Sequence, residues 1–259
     1  MWMDDDGHTI EDNKSAMVYA IILLGLLFTV LGAWRLRNIP LRRIAAYNAM
    51  QTGVSQAVEG GRATHISFGG SALQDASSVS AIAGAEVAYH LAVRAALADK
   101  PSIITLTDPV TLSLGQDRLW RAYRLRLMLN RYRGTLARWY PPGPLSLAFA
   151  AGVGTAILDE DLAMNILVGR FGPEMMLIAE NAIRYDRSLV AQSDRVEGQA
   201  VAYAVADTPL IAEELYAGAA YLDRRPIHVG SVVAQDSLRY LVVAAIIVLA
   251  ILSFLGVAF

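Results

Sequence analysis

Two uninterrupted apolar segments, residues 16–34 and 240–259, bracket this chain, and neither carries a charged side chain. Each matches the length a helix needs to cross a hydrocarbon layer about 30 Å thick. The stretch between them holds nearly all the charged and turn-forming residues, as a water-exposed domain does. The expected architecture is a folded domain held to a bilayer by spans at residues 16–34 and 238–259. The same segments account for a hydrophobic share of 55% and a mean hydropathy of +0.39, high values for a soluble protein.

The flanks give an orientation. Asp4, Asp5, Asp6, Glu11 and Asp12 precede the first segment against a single Lys14, whereas Arg35, Arg37, Arg42 and Arg43 follow it. Lys and Arg collect on the cytoplasmic side, and Arg224, Arg225 and Arg239 before the second segment agree. The expectation is an inner (cell) membrane protein with both termini outside. Residues 1–15 form an acidic extracytoplasmic end, 35–61 a basic juxtamembrane helix, and 62–237 a cytoplasmic domain. A secretory signal fits poorly, because the leading residues are acidic and no small-residue cleavage pattern follows Gly32.

Composition removes several chemistries. There is no cysteine, which excludes disulfides, thiolate nucleophiles and Cys-based metal sites. The four histidines, His8, His65, His90 and His228, share no ligand spacing, so no metal is expected. No cofactor is implied either. A net charge of −2 points to no partner by itself.

Inside the domain the pattern alternates. Residues 41–58 suit a helix, 63–68 (ATHISF) a strand, 79–98 a helix, 102–107 (SIITLT) a buried strand and 108–133 a helix. After the turn PPGP, the expectation is a strand at 145–151, a helical region at 160–182 broken near 169–173 and a strand at 188–192. Helices at 196–222 and a last strand at 227–233 complete it. Such alternation predicts an α/β fold, a mostly parallel sheet with helices on both faces. The halves, 62–140 and 145–237, repeat an order of signals: HISFGG then TLTD ending at Asp108, and LAFAAG then VAQSD ending at Asp194. A duplicated βαβα unit is expected on that ground.

The series HISFGG, SSVSAIAG, TLTDP, GQDRLWRAY, FAAGVG, NILVGRFGPE, VAQSD, ADTPLIAEELYAGAAYL and AQDSLRYL resembles an uncharacterised family of bacterial membrane proteins known as a domain of unknown function. The resemblance runs from about Thr64 into the second span. It supports the architecture and transfers no catalytic residue.

Candidate chemistry sits where open parallel sheets place ligands, beyond the carboxyl ends of the strands. Gly69, Gly70 and Ser71 in one half, and Gly152, Gly154 and Thr155 in the other, are the candidate ligand-binding residues. Neither set forms GxGxxG, and GVGT lacks the lysine of a phosphate loop. Asp108, Asp194 and His65 are the candidate catalytic groups. Each aspartate precedes a helix and competes for a capping role, Asp108 with Pro109 behind it. A lone strand histidine is more often a hydrogen-bonded packing residue. Arg118, Arg121 and Arg124, with Trp120 and Trp139, combine cations and aromatic rings. With Arg35, Arg37, Arg42 and Arg43 they suit a lipid surface first, intramolecular pairing second and nucleic acid last. Gly25, Thr29 and Ala33 form a small-residue row that permits close packing with the second span or another protomer.

The expected role is a scaffold or small-ligand sensor at the bilayer, working as a homo-oligomer or with other membrane proteins. The reading leans away from catalysis. Its alternative is a membrane-associated hydrolase or transferase using Ser71, Asp108, Thr155 and Asp194 in one crevice.

Overall fold

The structure, a computed structural model, describes residues 18–19, 21–30, 41–223 and 225–254. The expected acidic end, Ala33 in the small-residue row, and Arg35 and Arg37 lie outside them. The chain divides into two compact units, Arg43–Asp223 and a second made of Met1–Arg42 with Arg224–Phe259.

The larger unit is built on six strands. They are β1 (Ala63–Gly69), β2 (Ile103–Leu106), β3 (Ala137–Trp139), β4 (Leu162–Arg170), β5 (Ser188–Ser193) and β6 (Thr208–Pro209). They stand in the order β3-β2-β1-β4-β5-β6, and every neighbouring pair is parallel. β1 is buried along its whole length, as a central strand of a parallel sheet covered on both faces is. Ile66 aligns with Ile104 on one side and Ile166 on the other, and Ile166 aligns in turn with Val190.

Helices close both faces. On one, α2 (Ala45–Glu59), α3 (Ser78–Ala95), α4 (Pro109–Leu125) and α8 (Gly218–Leu222) cover Ile66, Phe68, Ile104, Leu106, Ile166 and Val168. Tyr47, Met50, Leu91 and Leu119 supply much of that contact. On the other, α5 (Leu147–Asp159), α6 (Met175–Arg184) and α7 (Val196–Val205) pack Phe149, Val153, Ile178 and Ala202 against Ile103, Leu167, Leu189 and Ala191. The first and last elements of this unit are neighbours: Tyr47 of α2 stacks on Tyr221 of α8 with ring centroids 5.0 Å apart, and the Tyr47 hydroxyl donates to the Glu214 carbonyl at 2.6 Å.

Four expected elements differ. Residues 145–151 enter helix α5 rather than a strand, and 160–182 contain the long central strand β4 before α6 begins. A run buried on both faces carries no period that separates strand from helix, so LAMNILVGR reads either way until its neighbours are known. Residues 196–222 hold α7, the short β6, a 3-10 turn at Ala212–Ala217 and α8. Residues 227–233 lie in the helix α9 (Pro226–Phe254), not in a strand. The expected halves also shift. The sheet is two β-α-β-α-β halves, β1 to β3 and β4 to β6, so the second half opens at Leu162 and not at residue 145. Asp108 and Asp194 keep equivalent places behind β2 and β5.

The smaller unit holds the apolar helix α1 (Ile21–Val30) and α9. Of the described residues, Pro226–Ile247 is the one stretch long and apolar enough to cross a membrane, with a mean hydropathy of 1.3 over 22 residues. The first expected span is described only as the shorter α1. Within this unit α1 meets α9: a β-carbon on Gly25 would stand 3.7 Å from Leu238 Cδ1, as the small-residue row predicts for its first member.

Candidate functional site

The strand order reverses between β1 and β4, and at such a switch point doubly wound sheets with this order hold their ligands. Here the two strand ends are tied to each other. Gly69 has φ +58° and Gly169 has φ +140°. A β-carbon on Gly69 would stand 2.3 Å from the Arg170 carbonyl oxygen, and one on Gly169 would stand 2.4 Å from both the Phe68 carbonyl oxygen and Ser71 Oγ. Only glycine permits that approach. It lets Gly70 N–H donate to the Arg170 carbonyl at 2.7 Å and Arg170 N–H donate to Ser71 Oγ at 2.8 Å. Ser71 is fully buried, its hydroxyl oxygen engaged by the neighbouring strand.

Above this seam lies a charged cluster. The Arg170 guanidinium reaches Asp75 at 2.9 Å and Asp194 at 3.5 Å. Asp194 also accepts from Ser80 Oγ, in the first turn of α3, at 2.8 Å. Its carboxylate therefore lies at the positive end of α3, the position a phosphate takes in dinucleotide-binding sheets of this strand order. Asp75 accepts from Ser77 Oγ at 2.5 Å and from Ser77 N–H at 2.6 Å. Those two bonds, with the Arg170 charge beside them, hold its carboxyl below the usual aspartate range. Gly172 N–H donates in turn to Glu174 Oε1 at 2.8 Å, at the foot of α6.

The remaining expected residues fall in several places. Asp108 caps α4, accepting from Thr111 N–H and Thr111 Oγ1, both at 2.7 Å, with Pro109 at the first helical position. Asp194 does not cap α7, whose preceding residue is Arg195; it turns to Ser80 and Arg170 instead. Gly152, Gly154 and Thr155 are not at a strand end but inside α5. The two glycines make room for the Tyr140 ring and for Asn181, and Thr155 Oγ1 donates to its own helix at Ala151. Thr155 thus stands apart from Ser71 and Asp194, which share the β1–β4 seam.

His65 is buried in the sheet, Nδ1 3.1 Å from Asn165 Oδ1 and Nε2 2.8 Å from Thr105 Oγ1. Burial pushes its pKa down to about 4, so it is neutral at pH 7 and packed away from solvent. The basic and aromatic residues of α4 pair locally. Arg118 meets Glu86 at 3.1 Å, Arg121 meets Asp117 at 2.9 Å, and Arg124 lies 5.1 Å over Trp120. Trp139 Nε1 donates to the Thr107 carbonyl at 2.7 Å. Arg42 and Arg43 are exposed. Among the described residues no group of three His, Cys, Asp or Glu could hold a metal ion.

Arg170, Asp75 and Ser80 are the site residues that sequence reasoning missed. Arg170 acquires its place only once residues 162–170 are read as the strand beside β1. Replacing Arg170 by Gln strands two carboxylates, one of them Asp194 with 14% of its side chain exposed. The expected loss is about 1 kcal/mol in urea unfolding, discounted for solvent screening. Adding Asp194→Asn should recover part of it, whereas independent effects would simply add.

A family model described as Domain of unknown function (DUF6754) matches residues 6–259 of the chain. No curated protein and no solved structure matches it.

Proposed function

We propose, from the premise that this chain belongs to the DUF6754 family, that it is a membrane-held α/β domain that works by binding rather than by bond chemistry. In this reading it is a scaffold or small-ligand sensor on the cytoplasmic side of the inner membrane, with partners in the bilayer or a second copy of itself. One observation carries the reading. At the switch point the charged groups are spent on each other and on helix ends: Arg170 on Asp75 and Asp194, Asp194 on Ser80, and Asp108 on Thr111. A reacting centre needs groups held ready for substrate, and these are not. The apolar helix Pro226–Ile247 supports the membrane attachment, and the arginines at 35, 37, 42 and 43 support the inward side.

Trypsin on sealed vesicles tests the topology. The segment between α4 and β3 offers exposed Arg126, Arg131 and Arg133. Cleavage there is expected in inverted vesicles and not in right-side-out ones. Cleavage in right-side-out vesicles, or release of the intact chain by an alkaline wash, would overturn the assignment.

A further inference from the structure

At the end of the sheet opposite the switch point, where β2 and β3 begin, the larger unit contains a cavity of about 470 Å³. That lies within the size range of small-molecule sites, which run from about 300 to 1,000 Å³. Its floor is apolar, with Ile103 and Leu136 both buried. Its walls are cationic. Arg131, Arg133 and Arg138 line it, against the carboxylates of Asp99 and Glu160.

The charges are not evenly matched. Arg138 and Glu160 form a close pair at 2.5 Å and neutralise each other. Asp99 is 86% exposed and 4.0 Å from Arg131, so water screens most of that attraction. Arg131 is fixed by another contact: its Nη1 donates to the Ala98 carbonyl at 2.9 Å. That anchor holds the guanidinium at the rim while leaving its other donors open. Arg133 makes no ion pair and no side-chain hydrogen bond among the described residues. The cavity therefore carries uncompensated positive charge.

Tyr123 adds a neutral polar group: it lines the cavity with its ring packed in the core and its hydroxyl open to the cavity rather than sealed off. Burial raises its pKa against the opposing field of Arg131, which keeps the proton in place for donation. Asn130 and Thr135 complete the polar rim.

We propose that this cavity binds a small organic anion bearing a phosphoryl group, gripped by Arg131 and Arg133 with the Tyr123 hydroxyl as a further donor. A phosphoryl group brings three acceptor oxygens and so uses more of these donors than a carboxylate does. Guanidinium groups suit it by geometry as well as by charge. The apolar floor of Ile103 and Leu136 favours an ester with a carbon skeleton over inorganic phosphate alone. The proposal gives the sensing role its ligand class and rests on that reading only for its purpose, since occupancy is measured without reference to topology.

A soluble phosphate ester and a phospholipid headgroup share this chemistry. The test therefore has two arms on the full chain in neutral detergent: calorimetric titration with glycerol 3-phosphate and inorganic phosphate, and flotation with phosphatidylglycerol against phosphatidylcholine vesicles. Binding is expected in at least one arm, tighter for the ester than for inorganic phosphate in the first. Arg133→Gln should weaken it by about tenfold, the usual effect of losing one charge-assisted bond. Tyr123→Phe should weaken it severalfold, and Arg184→Gln, on α6 and outside the cavity, should leave it unchanged. Arg133 supports no other side chain, so its variant keeps the fold and its unfolding midpoint verifies this. Absence of binding in both arms, or binding indifferent to Arg133→Gln and Tyr123→Phe, overturns the proposal. Either result leaves the vesicle proteolysis outcome, and with it the membrane assignment, untouched.

Discussion

Gly169→Ala is expected to cost about 4 kcal/mol, a large part of the roughly 5 to 15 kcal/mol that holds a domain of this kind together. Two terms add. A non-glycine residue at φ +140° carries about 1–3 kcal/mol of backbone strain. The new β-carbon would also meet the Phe68 carbonyl oxygen at 2.4 Å, and overpacking costs about 1–3 kcal/mol more. Relief is blocked, because that carbonyl accepts from Ser71 N–H at 3.2 Å and lies in the fully buried strand β1. Urea unfolding of the full chain in detergent, followed by tryptophan fluorescence, measures the loss. Gly134→Ala is the control. Its β-carbon would meet only Gln116 Nε2, at 3.8 Å, and a change below about 0.5 kcal/mol is expected. Equal effects at the two positions would mean that the ends of β1 and β4 are not interlocked.

The second large effect is a loss of stability in mild acid that traces to His65. In the fold its pKa is pushed down to about 4, from an ordinary value of 6.5. Between those two values the unfolded chain binds a proton that the native chain refuses, so stability rises with pH across the interval. Above 6.5 this group contributes no pH dependence. As pH falls from 6.5 through 4, the penalty grows to a limit of about 3 kcal/mol. The cause is burial, which strips the charged ring of its hydration, with the Arg138 charge adding to it and the Asn165 hydrogen bond opposing it. Unfolding free energy measured at half-unit steps from pH 4 to 7 checks this. His65→Gln should flatten the slope by about one proton within that window; an unchanged slope would assign the acid sensitivity to other groups.

Much of the fold could be read from the residues, and the misreadings share a cause. Elements closed by turn or capping residues announced themselves. β2 was expected because SIITLT is a short apolar and β-branched run closed by Asp108-Pro109, which also starts α4. β4 and α5 were exchanged for the opposite type because both are apolar on every side available to a sequence pattern. β4 is buried from Leu162 almost to its end. α5 combines buried Phe149, Val153 and Ile157 with exposed Leu147 and Leu158, so its polar face is missing. The glycines deepened the error. Gly152 and Gly154 look like a strand-closing turn, yet they are smooth points on a helix, where Tyr140 and Asn181 come close.

The same error hid half of the candidate site. Gly69, Gly70, Ser71 and Asp194 were placed at the correct end of the sheet, because β1 and β5 were recognised. Arg170 escapes, since it closes a strand whose apolar run also suits a helix. Asp75 and Ser80 had no signal at all: a loop aspartate and a helix serine gain meaning only through contacts across about a hundred residues of sequence, 95 for Asp75 with Arg170 and 114 for Ser80 with Asp194. The cavity beside Arg131 and Arg133 follows the basic and aromatic run of α4, whose pattern suits a lipid surface as well. Its concavity depends on the bend between α4 and β3, which no periodicity records.

Asp194 makes the crevice of this sheet a socket with its plug built in. Being part of the chain, this rival anion is never diluted away, and its effective concentration at α3 is far above what a free metabolite reaches. A visiting diphosphate would first have to evict it and then find a new companion for the guanidinium it leaves behind. The place where sheets of this strand order take an anion is filled from within.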